Sequence, residues 1–184
     1  MNDCPTAPDL ANKMLDVLAA SGPHPEHAEQ LALFGQFVGA WDVEVHNYPA
    51  DGPKHVVPGE WHFGWVLEGR AIQDVWIAPK RALRTGGDAP PGEYGATLRF
   101  YDPQLEAWRS TWHGPVRCIV RPFIGRQLGD EIVLEGSFAP GTATRWIFSH
   151  ITAESFHWRA EETGDSWQTA RVVQEMFATR QNIP

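Results

Sequence analysis

Nine tryptophans, and the polar side chains that alternate with them, mark where this 184-residue chain could do chemistry. In 60–67, Trp61, Phe63, Trp65 and Leu67 take every second position, against Glu60, His62, Gly64 and Val66. The same spacing groups Trp108, Ser110 and Trp112, then Trp146, Phe148 and His150, then Phe156 and Trp158. An indole offers a large apolar area, a negative π face and one N–H donor. A wall containing Trp61, Trp65, Trp112, Trp146 and Trp158 would therefore suit a planar, largely apolar ligand. The plainer alternative is that these rings fill a core or lie under other elements.

A binding cavity also needs a few convergent polar groups. Alternation makes Gln73, Arg99, Arg117, Arg121, His150 and Glu175 interior candidates, with Gln73 and Arg121 as ligand contacts. A buried guanidinium is costly unless paired, so Arg99 or Arg121 facing inward calls for a carboxylate, and Glu175 is the expected one. In a dry pocket His150, Glu175, Arg99 or Tyr101 could carry a proton or steady an oxyanion, which is cofactor-independent acid/base chemistry. His46 and His62 fall on outward faces; were the face of 60–67 inverted, His62 would be the better base.

Other chemistries find no motif. No two histidines share a face within one strand, and neither Cys-x-x-Cys nor His-x-x-x-His occurs, so no metal site is expected. No serine sits in Gly-x-Ser-x-Gly, Cys118 reads as an inert mid-strand residue, and no glycine-rich phosphate loop precedes a helix. A net charge of −8 argues against nucleic acid. No apolar run approaches the roughly 18 residues of a membrane span. The N-terminus lacks the pattern of a secretory signal, and Cys4 and Cys118 make no disulfide framework, so a cytoplasmic location is expected.

The elements that would position these groups are legible. "DLANKMLDVLAA" (9–20) and "PEHAEQLALFGQF" (25–37) carry helical spacing and are separated by "SGPHP". From Trp41 the period falls to two. Ten strands are predicted near 41–48, 60–67, 70–79, 93–101, 106–113, 116–124, 130–137, 143–151, 155–162 and 167–178, joined by turn sequences such as "LEGR", "YDPQLE" and "ETGDS". Short spacing without intervening helices implies an antiparallel meander, and closure would remove its edges. The expected fold is all-β: a closed up-and-down barrel of about ten strands at 37–180, with a helical N-terminal extension at 1–36 and a tail at 181–184. An open sandwich is the competing arrangement. If Trp41 marks the closed end, the segments 49–59, 80–92, 114–116, 138–142 and 163–166 form the mouth, and 80–92, with Lys80, Arg81 and Arg84, could act as a lid.

Gly39-x-Trp41 resembles the first-strand signature of lipocalin-type (calycin) barrels. That resemblance implies that Trp41 plugs the closed end and that Arg180, in "MFATR", packs over it. The pieces "WVLEGRAI" (65–72), "YDPQLEAWRSTW" (101–112), "TRWIFSHI" (144–151), Phe156 with Trp158, and "QEMFATR" (174–180) resemble a bacterial group of lipocalin-like domains of unknown function. The likeness implies a fold and transfers no activity. Tyr48-Pro49 is similar to nitrobindin-type haem barrels, although their glycine-rich first strand is replaced here by "DVEVHN".

The reading that follows is a barrel that binds a small apolar or aromatic molecule, with no cofactor required. An acid/base isomerase, cyclase or lyase using the same cavity is the runner-up. A haem barrel is third, and it would need His150 as axial ligand. The N-terminal helices would cover one barrel end or exchange with a partner in a homodimer.

Overall fold

The computed structural model describes residues 7–84 and 92–182. Two helices, α1 (Ala7–Leu18) and α2 (Ala28–Gly35), precede ten strands: β1 (Gly39–Asn47), β2 (His55–Val66), β3 (Ala71–Ala78), β4 (Glu93–Asp102), β5 (Ala107–Gly114), β6 (Ile119–Leu128), β7 (Glu131–Gly136), β8 (Ala143–Ser149), β9 (Ser155–Thr163) and β10 (Arg171–Arg180). Each strand pairs antiparallel with its neighbours in sequence, and β10 closes on β1. No edge is left unpaired, which is the usual reason a long meander closes.

Strand ends depart from the predicted spans where local turns intervene. β6 begins at Ile119 because Pro115–Arg117 form a 3-10 turn that ends on Cys118 in a left-handed conformation (φ 55°). Cys118 is consequently an exposed turn residue instead of a mid-strand one. β10 begins at Arg171 because Ser166 and Trp167 both have positive φ. That turn is pinned by Asp165, which accepts hydrogen bonds from Thr163 Oγ1 (2.7 Å) and Thr169 Oγ1 (2.6 Å). Cys4 and the centre of the expected lid, residues 85–91, lie outside the described residues. The start of that loop is fastened down: Arg84 donates to the carbonyl oxygens of Pro79, Ala78 and Glu93.

The closed end is filled by α2 and the turn after it. Leu31, Phe34 and Phe37 are buried there. Phe34 lies edge-on to Trp108 (4.8 Å between centroids), and Phe37 packs on Phe148 (5.0 Å) and Phe156 (4.9 Å). Beside them Trp41, fully buried, donates its indole N–H to Phe37 O (2.7 Å). The Arg180 guanidinium covers the Trp41 ring at 4.1 Å and donates to the carbonyls of Gln36, Val38 and Ala153. The glycine of the motif has its reason here. Gly39 sits at φ +133°, and a Cβ on it would meet Arg180 Nη1 at 2.7 Å.

Candidate functional site

The barrel interior changes character along its axis. Just above the helix plug, Asp74 on β3 and Arg99 on β4 are both fully buried and form an ion pair. Asp74 also accepts from Trp61 Nε1 (2.6 Å) and Thr97 Oγ1 (3.3 Å). Arg99 lies against the faces of Phe34, Phe63 and Phe148, 5.1–5.9 Å from their centroids. Burial pulls its guanidinium below the ordinary value, to about 9. It therefore stays cationic at neutral pH and depends on the Asp74 carboxylate. Glu175 is not that partner.

Above this pair five strands each contribute one indole to a girdle. Trp61 and Trp76 face each other across β2 and β3. Ring centroids then follow at 5.8 Å (Trp76–Trp112), 6.3 Å (Trp112–Trp146), 5.4 Å (Trp146–Trp158) and 6.2 Å (Trp158–Trp61). They enclose a cavity of about 110 Å³, whose other walls include Glu93, Thr97, Ile119, Arg121 and Met176. Two indole donors here have no protein acceptor: Trp76 Nε1 and Trp158 Nε1, on residues only 8% and 3% exposed. Trp61, by contrast, spends its N–H on Asp74.

The cavity opens at the end expected to be the mouth. It shares Arg117, Arg121, Trp146, Trp158 and Gln174 with an outer chamber of about 400 Å³, which Tyr48, His55, Glu162 and Arg171 also line. The rim is therefore rich in arginine. Arg117 pairs with the buried Glu93, and Arg171 pairs with Glu162 at 3.5 Å. Arg121 has no carboxylate within ion-pair distance among the described residues; its guanidinium lies 5.1 Å from the Phe138 ring centroid instead.

Of the residues predicted to contact ligand, Trp61, Trp112, Arg121, Trp146 and Trp158 line the inner cavity. Trp65 has the same face as Trp61 but sits lower, against Gly35 of α2. Gln73 points outward, because its β3 neighbours Ile72, Asp74 and Trp76 hold the inner face. None of the four proposed proton carriers lines the cavity. Arg99 is locked beneath it. Tyr101 lies at the closed end, edge-on to His27 (5.7 Å). His150 follows β8 in a left-handed conformation (φ 50°) and is exposed, so it does not join Trp146 and Phe148. Nor can it serve an interior haem, and no other histidine lines the inner cavity.

Glu175 is on the outer wall, opposite His46 and Arg159 in the ladder. It accepts from Tyr48 Oη (2.6 Å) and lies 3.0 Å from His157 Nε2. Burial opposes its ionisation, but the Tyr48 hydroxyl and the His157 ring outweigh that and hold its carboxyl below the ordinary range. Sequence reasoning missed Asp74, Trp76 and Glu93. The signal for the first two was present, since Trp76 pairs directly with Trp61.

A ten-strand barrel closed by Gly39-x-Trp41 and Arg180 has the calycin, or lipocalin-like, fold. Solved structures agree. That of Rv2717c from M. tuberculosis matches with a TM-score of 0.56 at 14% identity, over 87% of this chain and 99% of that one. The S-type phycobiliprotein lyase CPES from Guillardia theta matches with a TM-score of 0.55 at 12% identity, over 83% and 93%. EF1p2_mFAP2b bound to DFHBI is more distant, at a TM-score of 0.39 and 17% identity, over 86% and 100%. No family model and no curated protein matches this chain. Among the described residues no helix is long and apolar enough to cross a membrane.

Proposed function

We propose that this chain binds a small, planar, largely apolar molecule in the tryptophan girdle, and that the molecule carries a hydrogen-bond acceptor. The observation that carries this reading is a pair of buried donors on two cavity-lining rings, Trp76 Nε1 and Trp158 Nε1, which have no acceptor among the described residues. Leaving a buried donor unmatched costs about 1–3 kcal/mol. A carbonyl or carboxylate oxygen on a ligand would recover that cost. At about 110 Å³ the inner cavity is smaller than the roughly 150 Å³ that holds one benzene ring, so a ligand ring would enter the girdle only in part and extend into the outer chamber of about 400 Å³. The fold alone decides nothing: a phycobiliprotein lyase is built on a similar barrel, and scaffolds of this kind host many activities. Binding is favoured over acid/base catalysis because, among the described residues, Glu93 is the only carboxylate lining the inner cavity, and it is ion-paired.

Calorimetric titration with 2-naphthamide, and with 2-methylnaphthalene as the counterpart lacking an acceptor, tests this. Wild-type protein is expected to bind both, the amide more tightly. Trp158→Phe should weaken the amide by about three- to tenfold more than it weakens the hydrocarbon, the worth of one neutral hydrogen bond. Equal losses for both would remove the role given to the indole N–H. No saturable binding of either would overturn the cavity reading itself.

A further inference from the structure

Arg99 and Arg121 are the two arginines that β4 and β6 turn into the barrel, and the difference between them identifies the ligand more closely. Arg99 has its carboxylate, Asp74, and is sealed beneath the girdle. Arg121 is half-buried, lines both chambers, and is held by the Phe138 ring instead of by a carboxylate. Its ladder partner is Trp112 of the girdle, so its guanidinium stands at the junction between the aromatic cavity and the outer chamber. The two carboxylates that line these chambers among the described residues, Glu93 and Glu162, are already engaged by Arg117 and Arg171. A partly desolvated cation with no counter-charge among the described residues, at the entrance to an apolar cavity, is an anion site.

Resting on the binding reading above, we propose that the ligand is an aromatic acid. Its ring lies partly within the girdle, and its carboxylate points toward the mouth, where Arg121 receives it. An acid fits better than a neutral molecule because it satisfies both unmatched features at once. The ring fills the apolar volume, and the anion supplies the missing partner of Arg121. A phosphate or sulfonate head would use the same guanidinium. The carboxylate is favoured because its planar fork matches one guanidinium in a bidentate contact, and one guanidinium without a carboxylate is what the rim offers among the described residues.

The test compares 2-naphthoate with its neutral isostere 2-naphthamide on wild type, Arg121→Gln and Arg121→Lys, by calorimetry, with circular dichroism confirming that each variant is folded. Wild type should bind the acid at least about tenfold more tightly than the amide, as expected for a charge-assisted contact. Arg121→Gln should abolish the preference by weakening the acid at least about tenfold more than the amide, and Arg121→Lys should restore part of it. Equal affinities in wild type would overturn the acid assignment and leave the barrel reading standing. A preference that survives Arg121→Gln would overturn the role of Arg121 and place the anion on Arg117 or Arg171. Failure of both compounds to bind would overturn the binding reading and this inference with it.

Discussion

Replacing Asp74 by Asn keeps an oxygen for the Trp61 indole but deletes the only charge that pairs with Arg99 among the described residues. Both side chains are fully buried, so the guanidinium cannot turn to water. It keeps the faces of Phe34, Phe63 and Phe148, but those contacts exist in the parent protein too and offset nothing new. Removing one member of a buried pair costs about 3–5 kcal/mol, because the survivor is left uncompensated. Against a total of about 5–15 kcal/mol for a domain, that is a large fraction of the stability. At about 2–4 °C per kcal/mol for a chain of this size, Tm should fall by about 6–20 °C. The double replacement Asp74→Leu/Arg99→Met removes both charges and should return stability to within about 1–2 kcal/mol of the parent, as apolar substitutes for buried pairs do. Urea unfolding of the four members of the cycle measures this, with a coupling of at least about 2 kcal/mol expected. A loss below about 1 kcal/mol for Asp74→Asn, or a double variant no better than the single, would refute the claim that the floor rests on a desolvated pair.

Two other perturbations probe the girdle and the outer wall. A Cβ on Gly95 would meet the Trp112 ring at 2.3 Å and His113 O at 2.6 Å. Gly95→Ala should therefore displace that indole, cost about 1–3 kcal/mol and weaken binding of 2-naphthamide; unchanged affinity would show that the Trp112 position is immaterial. On the outer wall, burial holds the His157 imidazole below its ordinary value despite the neighbouring Glu175, and Arg159 and His150 push the same way as burial. The unfolded chain takes up that proton near pH 6.5, and the folded chain only at lower pH. Stability contributed by neutral His157 is thus present above that value and declines as pH falls through it. His157→Asn should flatten the dependence of the urea midpoint between about pH 5 and pH 7, and an unaltered slope would assign the effect to other groups.

Much of this architecture was legible before any coordinates. The period-two pattern located all ten strands, and Gly39-x-Trp41 with Arg180 located the closed end. The site was read less well, for reasons that differ by residue. Glu175 could have been placed by parity alone: if Arg180 lies over Trp41, then Ala178 and Met176 face inward with it and Glu175 faces out. Gln73 falls to the same test, since pairing Trp61 with Trp76 turns Asp74 inward and Gln73 outward. His150 was beyond that logic. Alternation holds only while the backbone stays extended, and φ +50° at His150 ends it. Trp65 shows a further limit: period two fixes a face and says nothing of depth, and depth here depends on where α2 comes to rest.

The tryptophans could in principle be nothing more than filling, so the question is what a filled barrel would have looked like. Below the girdle the chain demonstrates one. Phe34, Phe37, Phe148 and Phe156 interlock there, and the indole N–H of Trp41 finds Phe37 O. Asp74 likewise finds Arg99, Trp61 and Thr97. At the floor the buried charge is paired and the Trp41 and Trp61 indoles are both matched, although Arg99 Nε and Nη2 find no acceptor among the described residues. Higher up, among the described residues, the Trp76 and Trp158 indoles are unmatched, Arg121 has no carboxylate, and an open volume lies among them. Phenylalanine at 76 and 158 would avoid the cost of the unmatched donors, and a neutral residue at 121 would avoid the isolated charge. Indole and guanidinium are favoured over those simpler choices when something else enters the cavity and completes them.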